Sequence, residues 1–205
     1  TYRAVRKSSK NTAWEAVSVS GTAYVPTTTI SAAPTGGGTS YEAVNLLTPK
    51  RINTFIGDGT ATQFKVDATD LDETAVTAEV NGSAVTVSAV NRSTGLVTLA
   101  AAPANGNGLA NVSIAFAKTV SGHADKINKC RFAGLYGGKN DTRVFLSGNP
   151  DEPDCDWQSG LYDPTYFPDT GYTRMGTDAS AIVGYLKQYE SQVVVKSGDA
   201  QEATS

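Results

Sequence analysis

The chain has 205 residues, of which 40% are hydrophobic and 18% charged, and its net charge is −3. That apolar share excludes a disordered chain, which would have few hydrophobic residues and a high net charge. The weak negative charge offers nucleic acid no broad basic surface, and no apolar run approaches the roughly 20 residues of a membrane-spanning helix.

Gly, Thr, Ser, Ala and Val dominate, and Met occurs once. This bias favours strands and turns over helices. WEAVSV at 14–19 and TAYVP at 22–26 alternate as short strands do. Residues 31–40 hold Pro34 and the triplet Gly36, Gly37 and Gly38, which predicts a flexible loop. YEAVNLL at 41–47 stops before Pro49.

The clearest block is 54–118. Val76, Ala78 and Val80 alternate with polar residues and lead into Asn81-Gly82, the strongest short hairpin signal. Val85, Val87 and Val90 return, Leu96 to Leu99 forms the next run, and Val112, Ile114 and Phe116 close the set. Turn signals recur at the spacing of a small sandwich. Val76, Val80, Val87, Leu99, Ile114 and Phe116 are its predicted inward residues.

After residue 119, Gly, Asp, Pro and aromatics rise. Residues 131–136 and 143–147 read as strands. The stretch 148–176, with Pro150, Pro153, Pro164 and Pro168, reads as a long loop. Residues 182–189 read as a strand or one short helix, and 192–196 as a strand.

Chemistry is sparse. His123 is the one histidine. No nucleophile elbow accompanies it, so it reads as an exposed loop residue. The Gly36–Gly38 and Gly137-Gly138-Lys139 runs do not fit a phosphate loop. Cys130 and Cys155 would form a single bridge or, as preferred, stay reduced thiols. Asp67, Asp70, Asp72 and Glu73 form one acidic cluster, and Asp151, Glu152, Asp154 and Asp156 another. Either would supply calcium ligands or a glycosidase pair, but neither has the EF-hand spacing, and solvated loops are the favoured reading. No catalytic, cofactor-binding or metal-ligating residue is assigned, and no cofactor. Trp157, Tyr162, Tyr166, Phe167 and Tyr172 cluster in sequence. Turned outward they would make a sugar-stacking or protein interface; turned inward they would pack the loop onto a sheet.

RVFLSGNP at 143–150, DPTYFP at 163–168, IVGYLKQY at 182–189, VVVK at 193–196 and GGGTSYEAVNLL at 36–47 resemble segments of phage and prophage tail structural proteins. Block 54–118 is similar to Ig-like modules inserted into such proteins. The resemblance implies a mainly β chain. A small Ig-like antiparallel sandwich at 54–118 would be inserted into a second β-rich, partly propeller-like domain built from 1–53 and 119–205. It also implies a non-enzymatic virion role through assembly with other tail subunits or copies of itself, the alternative being an adhesin that binds a host-surface glycan. A membrane or specific nucleic-acid partner is not expected.

Overall fold

The computed structural model describes residues 3–7, 14–18, 21–137, 139–176 and 180–198. Strand makes up 44% and helix 4%, so the chain is mainly β, as its composition and turn spacing predict. It divides into two compact units, Val25–Val120 and a second formed by Thr1–Tyr24 with Ser121–Ser205. In the second unit, β1 (Arg3–Lys7) pairs antiparallel with β2 (Trp14–Ser18).

Unit Val25–Val120 is a β-sandwich. Its strands are β3 (Thr27–Ala32), β4 (Thr39–Ser40), β5 (Lys50–Phe55), β6 (Gln63–Lys65), β7 (Thr77–Val80), β8 (Ser83–Val85), β9 (Val87–Asn91), β10 (Leu96–Leu99) and β11 (Val112–Ala117). The larger sheet has the order β4-β3-β5-β11-β7-β8, and the smaller β6-β10-β9. Alternation along β11 turns Val112, Ile114 and Phe116 inward, each no more than 2% exposed. They meet Phe55, Phe64, Val97 and Leu99 in one core. Phe55 and Phe64 pack edge to face at 5.4 Å. Burial of each such side chain contributes about 2 kcal/mol. Asn81 and Gly82, at φ 50° and 75°, make the two-residue turn between β7 and β8.

Residues 25–53 belong to this sandwich, whereas the sequence reading placed them with 119–205. Strand pairing is the reason. β5 lies beside β11 from Lys50–Ala117 to Phe55–Val112, and β3 flanks β5 on its other side. β3 and β5 run parallel, so the larger sheet is mixed rather than antiparallel as expected. The glycine triplet is a tight turn rather than a free loop. Ala33 bridges Gly36, and at Gly38 (φ 90°) a Cβ would stand 2.7 Å from Ile30 O.

A carboxylate fastens these segments together. Asp67 Oδ2 accepts hydrogen bonds from Thr28 Oγ1 (2.6 Å), Thr29 Oγ1 (2.7 Å) and Asn53 Nδ2 (2.9 Å). The Asp67 N–H donates to Asn53 Oδ1 at 2.8 Å. Thr28, Thr29 and Asn53 are all buried. Asp67→Ala would strand their donors, and we expect a loss of about 2 kcal/mol. Urea unfolding should show it as a lower midpoint at unchanged slope. An unmoved midpoint would mean the network does not fasten β3 and β5.

In the second unit, β12 (Phe132–Tyr136), β13 (Arg143–Ser147), β14 (Cys155–Gln158) and β15 (Tyr172–Arg174) form an antiparallel sheet in chain order. The 148–176 stretch is thus no continuous loop. It contains β14, an inner strand, and β15 at the sheet edge. Its prolines fall outside both strands, so they remove no ladder hydrogen bond there. β16 (Ile182–Gln188) and β17 (Ser191–Lys196) form a hairpin. A short helix, α1 (His123–Asn128), replaces the expected loop around His123.

Candidate functional site

The five aromatics proposed as an interface do not form one patch. Trp157 and Phe167 are 0% exposed and serve as core, which removes both from any contact surface. Trp157 sits on β14 in register with Leu146 on β13 and Tyr172 on β15, so the three share a face. Tyr172 packs its ring 4.9 Å from Trp157 and keeps an exposed edge. Lys126, from α1, places Nζ 5.1 Å above the Trp157 ring. Tyr166 is half-buried and packs 5.1 Å from Tyr24. Tyr162 alone stands clear, 70% exposed.

The opposite face of the same sheet carries Asp156, which is buried. The β16–β17 hairpin covers it. Tyr185 crosses Gly134, where a Cβ would lie 3.1 Å from the tyrosine ring. Its hydroxyl donates to Asp156 Oδ1 at 2.5 Å. Burial pushes the Asp156 carboxyl up to about 6, against the opposing effect of the Tyr185 bond. Burial, together with that bond, raises the Tyr185 hydroxyl as well.

The acidic clusters are occupied by protein partners. Asp72 accepts from the Thr119 N–H (2.9 Å) and Oγ1 (2.8 Å), and Glu73 pairs with Arg92 at 2.9 Å. Asp151 pairs with Lys129 at 2.6 Å and Asp154 with Arg174 at 2.7 Å. Glu152 lies between Arg174 (3.5 Å) and Lys126 (3.8 Å). Asp70 offers its backbone carbonyl to Lys118. Among the described residues no group of three His, Cys, Asp or Glu is arranged to hold a metal ion.

His123 opens α1 and is half-buried, not an exposed loop residue. Cys130 and Cys155 are both free thiols. Burial is the main cause that pushes each up to about 12, so both stay protonated at neutral pH. The Cys130 thiol donates to Lys126 O, and Cys155 to Glu152 Oε2.

Sequence reasoning missed an exposed apolar face. In the hairpin, Leu186 opposes Val193 and Gly184 opposes Val195. These positions alternate with Tyr185 and Val194 and therefore point away from the sheet. Leu186 is 62% exposed, and Val183, Val193 and Val195 also reach solvent. The run of Val193, Val194 and Val195 was the available signal, because a strand with one wet face alternates instead.

Among the described residues no helix is long and apolar enough to cross a membrane. Comparison with known protein families, with curated proteins and with solved structures finds no match.

Proposed function

We propose that this protein is a non-enzymatic structural component of a phage or prophage tail that acts in the virion through subunit assembly. The observation that carries this reading is the outer face of the β16–β17 hairpin. Leu186, Val193 and Val195 present uncharged apolar surface there. The sheet has two strands, and among the described residues β17 pairs with no strand but β16, which leaves its other edge open. Free edges beside exposed apolar side chains favour pairing with another chain. The occupant we assign is a neighbouring tail subunit, where symmetry repeats a modest contact many times. The resemblance of 143–150, 163–168, 182–189 and 193–196 to tail proteins supports the same reading. So does the chain-order sheet β12-β13-β14-β15, the arrangement of a propeller blade.

Leu186→Lys tests this. The exposed position should keep stability within about 0.5 kcal/mol, while incorporation into particles falls at least about tenfold. Sedimentation and particle counting read the two effects. Parental assembly by the variant would remove the hairpin as the contact. Polysaccharide turnover that disappears on changing Glu152 or Asp156 would replace the reading with an enzymatic one.

A further inference from the structure

We propose that Tyr162 and the depression beside it form a binding subsite for one neutral hexopyranose unit of a polysaccharide, a site that does not depend on the assembly reading. Tyr162 has φ 56°. For a bulky L-residue the left-handed region costs about 1–2 kcal/mol. A buried ring would offset that cost, yet this side chain is 70% exposed. The backbone is held from outside the residue instead. The Tyr162 N–H donates to Thr142 O at 2.7 Å, and the Gly160 N–H to Tyr166 O at 2.7 Å. Asp163 Oδ1 accepts from the Thr165 N–H (2.8 Å) and Oγ1 (2.6 Å). The loop therefore presents an aromatic ring to solvent in a fixed, strained pose.

Beside that ring lies a depression of about 190 Å³, lined by Leu135, Thr142, Arg143, Val144, Asp163 and Pro164. It is smaller than a drug-sized pocket of about 300–1,000 Å³, and its size suits a single ring. A hexopyranose has one apolar face of C–H groups and an equator of hydroxyls. It needs an aromatic or aliphatic wall together with polar groups at the rim. Tyr162, Leu135 and Val144 supply the wall. Arg143 supplies donors, and Asp163 Oδ2 accepts no hydrogen bond among the described residues. Charges around the depression balance. Asp141 is paired with Lys187, and Asp163 faces the same depression as Arg143, which favours a neutral sugar over an anionic one. A stable protein contact would need about 800 Å² per partner, whereas this surface is small and concave.

The test uses the whole chain with maltohexaose, cellohexaose and chitohexaose, followed by saturation-transfer NMR and calorimetric titration. At least one should bind. Tyr162→Phe should keep binding, because the ring face remains. Tyr162→Gly should lose about tenfold or more in affinity while its urea midpoint holds or rises, since glycine accepts positive φ without strain. Should the glycine variant fold poorly, Tyr162→Asn, also tolerated at positive φ, gives the same reading of affinity. The proposal is overturned if none of the hexasaccharides binds the parent protein. Parental affinity in the Gly or Asn variant overturns it too.

Discussion

Trp157→Ala is expected to destabilise the unit of Thr1–Tyr24 and Ser121–Ser205 severely rather than to weaken a contact. The indole is 0% exposed. It is packed by Leu146 and Tyr172 from the strands on either side and by Lys126 above its ring. Removal leaves a large cavity in an inner strand, at a cost of about 3–5 kcal/mol. Typical domain stability is about 5–15 kcal/mol, so the loss removes a large share of the unit's margin. Near-UV circular dichroism and urea unfolding would show lost tertiary signal and a much lower midpoint. Trp157→Phe should do less harm. It keeps an aromatic ring and removes Nε1, which is buried with no hydrogen-bond partner among the described residues. A Trp157→Ala protein with the parent's midpoint and defective assembly would return Trp157 to the contact surface.

The contrast between Trp157 and Tyr162 shows what sequence does and does not carry here. Local pattern was sufficient where pairing is local. Asn81-Gly82 marked the β7–β8 turn, and Leu99, Ile114 and Phe116 are buried as their alternation requires. Val76, Val80 and Val87 pack against that core while only partly buried. Pairing across long separations left no local trace. Parallel β3 beside β5 drew residues 25–53 into the sandwich. In β14 and the residue before it, Cys155 and Trp157 alternate with Asp154 and Asp156, a pattern that suggests one wet face. All four are nevertheless buried: α1 lies over the Trp157 face, and the β16–β17 hairpin covers Asp156. Crowding of aromatics signalled a packed region but not which rings turn inward. Of the five, the ring best placed for binding is the one on a strained turn, and backbone strain has no signature in residue type.

Asp156→Asn is expected to stabilise the protein by about 3 kcal/mol above pH 7 and to leave it nearly unchanged near pH 4. Burial raises the Asp156 carboxyl from 3.8 to about 6. The folded chain therefore retains that proton to a higher pH than the unfolded chain does. The stability from this group is complete below about pH 4 and is lost as pH rises through about 6, where a buried carboxylate must ionise. The groups around it do not share this titration. The Tyr185 hydroxyl from β16 and the Cys130 thiol beyond α1 are both raised and stay neutral throughout. Asparagine keeps an oxygen to accept the Tyr185 hydroxyl, so the hairpin retains its fastening to β14. Urea midpoints followed by tryptophan fluorescence at pH 4, 5, 6 and 7.5 should show the gap between variant and parent opening across that range. A gap that stays constant with pH, or a parent that gains on the variant as pH rises, would mean that Asp156 is not the buried acid of this sheet.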